Sequence, residues 1–239
     1  MTVPQMKVPM NTHQSASAIE ELLQGTRKVP EDTSVVARPP SDPEVAATAK
    51  RRQFSPSERR RILAAAGVES DKGRLKLNEF LQSVSNPSVY AAGDAASNGP
   101  PLTPVASHDA HIVAGNMLNG NREKPNYLGV PSVAFTLPPI ASVGLGEQQA
   151  RDKGLKFRVQ HKIVPDWYTA RRVAETSYGF KVLVEEGSDR ILGAHLIGPH
   201  VDEIINVFAL AIRKELTADD LKTTIFAYPT GASDIGYML

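Results

Sequence analysis

The sequence predicts an α+β fold preceded by a flexible arm, and three observations support this. Several short segments rich in β-branched and aromatic residues lie between residues 130 and 200. Segments with helical periodicity alternate with them, and these begin or end at residues that favour helix termini. Residues 1–54 show no strand pattern, and their one helical segment is Ala18–Leu23, which would end at Gly25.

The arm comprises residues 1–54, which are polar, rich in proline and poor in aromatic residues. Such a segment cannot bury enough apolar surface to offset the conformational entropy it loses on ordering. We therefore expect this part of the chain to be flexible.

Residues 55–66 are predicted to form a short basic helix. Ser55 can cap it, Pro56 suits its first position, and Glu58 completes a capping box. The basic residues around this start are Lys50, Arg51, Arg52, Arg59, Arg60 and Arg61. The stretch Lys50–Leu63 resembles the opening of the helix-turn-helix unit of insertion-sequence transposases. No recognition helix follows, so a solvated helix and weak nucleic-acid binding are both open interpretations.

The most informative stretch centres on Gly93 and Asp94. A β-rich segment, Ser88–Ala92, stops at this pair, and Thr103-Pro104 then predicts a helix start with Thr103 as its cap. We expect this helix to end at Gly120. A carboxylate beside a helix N-terminus can hold a polar ligand, because the helix end offers unpaired N–H donors. A tight turn with a solvated aspartate is the alternative.

Residues 126–239 are predicted to form a sheet with accompanying helices. The predicted strands are Ser132–Phe135, Ala141–Val143, Phe157–Ile163, Phe180–Glu186 and Ile191–Ile197, and the predicted helices are Glu147–Lys153, Val201–Lys214 and Ala218–Ile225. The last two strands flank a turn and should form an antiparallel hairpin. The helix Val201–Lys214 has a wide apolar face, including Phe208 and Leu210, which we expect to lie in a core or a subunit interface.

These segments resemble the pyridine nucleotide–disulfide oxidoreductases, the family of glutathione reductase, dihydrolipoamide dehydrogenase and mercuric reductase. The segments that carry the resemblance are Val89–Asp94, Leu102–Ala106, Val130–Thr136, Pro138–Gly144, Ile191–Gly198 and Tyr228–Thr230. The resemblance extends from Gly67 to Leu239. It implies the terminal piece of an FAD-binding α/β domain over residues 67–125, followed by a dimerisation domain of antiparallel sheet and helices over residues 126–239.

The resemblance also implies a cofactor and a partner. Asp94 would bind the ribityl chain of FAD, and Gly93 would allow the ligand to approach the backbone. The backbone of Leu102 and Thr103 would face the pyrimidine side of the flavin. The partner would be a second copy of the chain or an intact paralogue, bound through the dimerisation domain.

The chain departs from the family in its catalytic parts. The amino-terminal FAD fingerprint, the redox-active cysteine pair and the NAD(P)H site are absent, and the chain contains no cysteine. Tyr228 stands where glutathione reductase-like enzymes have a catalytic histidine, and Ser233 stands where they have a glutamate. Asp234 lies one residue too late to replace that glutamate. We therefore assign no catalytic residue and expect the chain to be incomplete for catalysis on its own.

Two motifs invite other interpretations. His108 and His111 share one face of a helix, but no third metal ligand is apparent, so we favour ordinary helix surface. Gly144-Leu145-Gly146 begins like a dinucleotide fingerprint, yet Gln149 replaces the third glycine. We predict a loop before a helix at that position.

The composition limits the remaining function classes. The net charge is +1, which does not favour binding of polyanions by the molecule as a whole. The longest apolar stretch, Ile204–Ile212, is far too short to span a membrane. The N-terminus lacks the pattern of a signal peptide, so we expect a cytoplasmic protein.

Overall fold

The computed structural model describes residues 54–239, which contain two groups of elements. The first group is small and contains one long helix. Its members are helix α1 (Pro56–Ala65), the two-residue strands β1 (Ser70–Asp71) and β2 (Arg74–Leu75), a 3-10 turn (Gly93–Ala95) and helix α2 (Thr103–Asn119). The predicted flexible arm lies outside the described residues, apart from Phe54.

Helix α1 starts as the sequence predicts. The Ser55 hydroxyl accepts from the backbone N–H of Glu58, and the Glu58 carboxylate accepts in return from the backbone N–H of Ser55. No residue of this helix is buried, and its three arginines are exposed. The resemblance of the segment to transposases remains a prediction.

The segment Ser88–Ala92 does not form the strand that its β-rich composition predicts. It makes only an isolated antiparallel bridge between Tyr90 and Gln82, flanked by hydrogen bonds to residues 81 and 83. A strand needs a ladder of partners, and among the described residues none lies along its other edge. The β-rich composition could not show whether a neighbouring strand is available to pair with this segment.

The second group is a five-stranded antiparallel sheet with helices, as the sequence predicts. The strands are β3 (Ser132–Ala134), β4 (Ile140–Gly144), β5 (Phe157–Ile163), β6 (Gly179–Glu185) and β7 (Ile191–Ile197). They lie in the order β3-β4-β7-β6-β5. Strands β6 and β7 form the predicted hairpin, so that Val182 pairs with Ala194.

The helices of this group pack on the sheet or follow it, and a 3-10 helix is the last element of the chain. They are α3 (Glu147–Asp152), α4 (Tyr168–Arg171), α5 (Val201–Arg213), α6 (Ala218–Thr223) and a terminal 3-10 helix (Gly231–Tyr237). Helix α5 packs on β4 and β7 and buries Ile204, Ile205 and Phe208 in the core. Leu210 is 55% exposed in the single chain, so this core does not bury it, and its place at a subunit interface stays a prediction.

Gly144 and Gly146, whose spacing resembles the start of a dinucleotide fingerprint, flank a short loop before a helix, as predicted. Gly144 ends β4, and Gly146 precedes the first turn of α3. The intervening Leu145 donates its N–H to the Leu192 carbonyl, and its own carbonyl lies 3.1 Å from Nε2 of His195. None of the helices formed by residues 54–239 combines the length and the apolarity needed to cross a membrane.

Candidate functional site

The Gly93–Asp94 turn is packed tightly against the first turns of α2. Gly93 is buried and has φ 60°, a left-handed conformation that favours glycine. A Cβ atom built on Gly93 would lie 2.7 Å from the Cβ atom of Ala106. The position therefore requires glycine both for its backbone conformation and for its packing.

A buried carboxylate on α2 holds this turn in place. Oδ2 of Asp109 accepts a hydrogen bond of 3.2 Å from the backbone N–H of Gly93. Oδ1 of the same side chain accepts one of 3.0 Å from the hydroxyl of Tyr127. Burial raises the pKa of the Tyr127 phenol well above its usual range, and its hydrogen bond to Asp109 raises it further. The phenol therefore remains a donor at any ordinary pH.

Asp94 itself faces solvent. Its carboxylate makes no hydrogen bond or ion pair with another residue in the part of the chain that the structure describes, whereas its backbone carbonyl accepts from Nε of Arg74 at 3.4 Å. The guanidinium of Arg74 also donates to the carbonyl of Gly99 at 2.8 Å. Arg74 thus fixes the backbone of the turn and of the following loop, and leaves the carboxylate of Asp94 available.

The predicted cap of α2 is wrong by one residue. Thr103 already has a helical position, and Leu102, with φ −128° and ψ 141°, is the N-cap. Because leucine has no side-chain acceptor, no side chain caps this helix. The free N–H groups of a helix start therefore lie beside the turn that carries Asp94. The predicted end of α2 at Gly120 is confirmed.

These residues fit one side of a ligand that carries hydroxyl groups and negative charge. The Asp94 carboxylate can accept hydrogen bonds from hydroxyls, and the uncapped start of α2, at Leu102 and Thr103, can donate to anionic oxygen. Gly93 keeps the backbone at the turn free of a side chain. The hydroxyls of the ribityl chain of a flavin and the pyrimidine side of its ring, which gains negative charge on reduction, have this combination of groups.

The sequence analysis missed Asp109 and its partner Tyr127. One signal was available, because Asp109 is the only charged residue between Thr103 and Asn119. It also lies four residues after Val105 and three before Ile112, both of which are buried. A lone charge on the apolar face of a helix indicates a buried polar contact.

The two histidines on α2 both contact the backbone. Nε2 of His108 accepts from the backbone N–H of Asn126 at 3.2 Å, and Nδ1 of His111 lies 2.7 Å from the carbonyl of Ser107. Within residues 54–239, no cluster of three or more candidate ligands is placed to bind a metal ion.

Tyr228, which stands at the position of the catalytic histidine of glutathione reductase-like enzymes, lies in the carboxy-terminal segment. Tyr228 is 77% exposed, and its ring stacks on that of Tyr168 with 6.2 Å between centroids. The Ser233 hydroxyl donates to the carbonyl of Thr230 at 2.6 Å and so takes part in a local cap. Asp234 accepts from a buried tyrosine, Tyr178, at 3.0 Å. These contacts are structural, and none of them pairs Tyr228 with an acid.

Comparison with known proteins places the second group of elements in one family. Residues 130–238 match the model of the pyridine nucleotide-disulphide oxidoreductase dimerisation domain. An HOCl-induced flavoprotein disulfide reductase from Escherichia coli has a similar structure, with a TM-score of 0.68 and 26% sequence identity. That likeness covers 80% of this chain and 43% of the reductase.

Two relatives show how far the likeness extends in sequence. An uncharacterized 19.7 kDa protein in a mercuric resistance operon of Staphylococcus aureus is 52% identical over 178 residues, which are 74% of this chain and 99% of that protein. A mercuric reductase of Lysinibacillus sphaericus is 35% identical over 72% of this chain, but the match spans only 32% of the reductase. Residues 130–238 therefore form a domain similar to the dimerisation domain of the pyridine nucleotide-disulphide oxidoreductases, and the likeness to a mercuric reductase extends over 72% of the chain.

Proposed function

We propose that this chain provides part of an FAD site and the dimer interface of a flavin-dependent NAD(P)H oxidoreductase of the disulfide reductase family. The flavin contacts are Gly93, Asp94, Leu102 and Thr103. The observation that carries the proposal is the buried Gly93 turn, which presents the free carboxylate of Asp94 beside the uncapped start of α2.

Each contact has a defined part in holding the cofactor. Asp94 accepts hydrogen bonds from the hydroxyls of the ribityl chain, and Gly93 gives that chain access to the backbone. The helix start at Leu102 and Thr103 stabilises negative charge on the pyrimidine side of the ring. Bound FAD would supply the hydride and electron transfer that no side chain can perform.

We propose that the chain is incomplete for catalysis by itself. It has no cysteine to form a redox pair, and it spans about a third of the length of the mercuric reductases that it matches. The family's dimerisation domain supports a homodimer formed through residues 130–238. A cytoplasmic location remains part of this proposal.

Titration of FAD fluorescence with the protein tests the flavin contacts. We expect Asp94→Ala to weaken binding about tenfold or more, the effect of losing hydrogen bonds to a charged acceptor. Asp71→Ala is the matched control, because Asp71 is also exposed and lies in the β1–β2 hairpin. Equal affinities for the wild type and Asp94→Ala would contradict the proposed contact.

A second measurement tests whether the chain is incomplete for catalysis. Addition of NADH or NADPH should leave the bound flavin oxidised. A rapid loss of the flavin's visible absorbance would contradict the proposal that the chain is incomplete.

A second candidate function is a non-catalytic docking module. Helix α2 buries two polar residues, Asp109 and Asn116, while it exposes Met117 and Leu118, which are 62% and 84% accessible. A helix with apolar residues on its outer face favours a partner that covers them. The relative in the mercuric resistance operon also has little beyond the matched part.

Light scattering of this chain mixed with the full-length Lysinibacillus sphaericus mercuric reductase tests the docking candidate. A complex that is lost in Leu118→Lys would support it, with Ile225→Lys as the control because Ile225 is 97% exposed in the loop after α6. Unchanged masses of the two separate proteins would contradict docking on this reductase.

Weak nucleic-acid binding by the basic amino-terminal part is the remaining alternative. Arg59, Arg60 and Arg61 are exposed on α1, which favours contact with phosphate groups. DNA retention should then fall steeply with salt and should be lost when these three arginines are replaced by glutamine. Retention that does not depend on salt would contradict this alternative.

A further inference from the structure

We infer that Asp109 is a positioning residue for the proposed flavin site, since its carboxylate fixes the turn from which Asp94 reaches the ligand. This inference rests on the proposed function, because Asp94 is the residue that would touch the cofactor. Asp109 acts through Gly93 and is itself held by Tyr127.

The burial of Asp109 is what makes its two hydrogen bonds important. The side chain is 0% exposed and forms no ion pair with any residue from 54 to 239. A buried carboxylate without a cation depends on neutral donors for its stabilisation. Gly93 and Tyr127 each donate to one of its two oxygens. The carboxylate is therefore fixed in one orientation.

The hydrogen bond from Gly93 sets the direction of the next residue. Glycine has more conformational freedom than any other residue type, so the φ of 60° at Gly93 must be held by its surroundings. Asp109 supplies the acceptor for its N–H, and Ala106 limits its space. Asp109 fixes the peptide plane that precedes Gly93, and the Gly93 carbonyl in the next peptide accepts from the N–H of Ala96 at 2.9 Å. The backbone is therefore held on both sides of Gly93, and with it the origin of the Asp94 side chain.

Tyr127 extends the same contact to another part of the chain. Its hydroxyl reaches Asp109 from the segment that leads into β3. Because burial and the neighbouring carboxylate raise its pKa, the phenol keeps its proton and remains a donor. Asp109 thus joins the 3-10 turn, α2 and the segment before β3 at one buried point.

Asn116 provides a matched control on the same helix. It is 1% exposed and makes hydrogen bonds with the backbone of Phe80, Arg122 and Glu123. It therefore joins loops to α2 as Asp109 does, but it does not contact the Gly93 turn. Asp109→Leu and Asn116→Leu remove comparable buried polar groups, and only the first removes the acceptor of Gly93.

The test compares FAD affinity with the stability of the fold in full-length variants. We expect Asp109→Leu to raise the Kd for FAD about tenfold, the effect of one lost hydrogen bond at a buried site. Asp109→Asn should stay within about threefold of the wild type, because its amide oxygen still accepts from Gly93 and Tyr127 can accept from the amide. Asn116→Leu should lower the unfolding temperature and leave the Kd unchanged. Equal losses of affinity in the two leucine variants would overturn the positioning role.

Hydrogen exchange at the Gly93 amide separates this inference from the proposed function. Exchange should become at least about tenfold faster in Asp109→Leu, while it stays unchanged in Asn116→Leu and Asp109→Asn. If the wild type binds no FAD but Gly93 responds in this way, the positioning of the turn is supported and the cofactor proposal fails. If the Gly93 amide exchanges equally in all variants, the inference is wrong whatever the flavin result.

Discussion

The hydroxyl of Tyr178 donates a 3.0 Å hydrogen bond to the carboxylate of Asp234 and so joins the start of β6 to the terminal 3-10 helix. Tyr178 is 0% exposed, and its ring contacts Trp167. This contact explains why Asp234, which lies one residue beyond the position of the family's glutamate, has a structural role instead.

Removal of this hydroxyl should destabilise the fold. Tyr178→Phe leaves the Asp234 carboxylate without its donor, and we expect the free energy of unfolding to fall by about 1–2 kcal/mol. Urea unfolding measures this change. Tyr237→Phe is the control, because Tyr237 is 72% exposed and also packs its ring on Trp167. If Tyr237→Phe loses as much stability as Tyr178→Phe, the hydrogen bond to Asp234 is not the cause.

The environment of Tyr178 also predicts that the stability of the fold depends on pH in the alkaline range. Burial raises the pKa of Tyr178, and the neighbouring Asp234 carboxylate raises it further. Below about pH 10, tyrosine is protonated in both the folded and the unfolded chain, so its contribution to stability is fully present. As pH rises further, the unfolded chain loses this proton while the folded chain retains it, so stability falls. Tyr178→Phe should reduce this fall without abolishing it, because Tyr127 also has a raised pKa. If the free energy of unfolding falls equally with pH in Tyr178→Phe and the wild type, the contribution assigned to Tyr178 is wrong.

Gly93 should not tolerate a side chain. In Gly93→Ala, the left-handed backbone costs about 1–2 kcal/mol, and the overlap with Ala106 adds to it. Thermal unfolding and FAD titration should therefore both be affected. Gly236→Ala is the control, because a Cβ atom there meets nothing within 4 Å. An undisturbed Gly93→Ala variant would show that the turn is not constrained in this way.

The core side of α5 can be tested against its outer side. Ile205 is 0% exposed, and Ile205→Ala should cost about 2–5 kcal/mol through the lost burial and the cavity that remains. Leu210→Ala should change stability by only about 0.5 kcal/mol, since Leu210 is 55% exposed. Similar losses in a urea titration would mean that Leu210 is also buried, for example at a dimer interface.

Much of the sheet could be predicted because its strands differ from their surroundings in composition. The predicted bounds of Phe157–Ile163 and Ile191–Ile197 are those observed. Helix α4 was not predicted, because its four residues are too few to show a helical period.

The candidate site could be predicted only in part. Gly93 and Asp94 stand out as a glycine and a carboxylate that follow a β-rich segment. The contribution of Asp109 depends on tertiary packing, because a polar residue in a helix is expected at the surface unless its neighbours show otherwise. The cap of α2 was misplaced because Thr103 suits a cap by residue type, whereas the backbone becomes helical one residue earlier.

The visible absorbance of the purified chain after incubation with FAD and desalting tests the central claim most directly. We expect the wild type and Asp71→Ala to retain flavin, and Asp94→Ala to elute without it. Colourless wild-type protein would contradict the claim that the Gly93–Asp94 turn and the start of α2 hold the cofactor, and would favour the docking module.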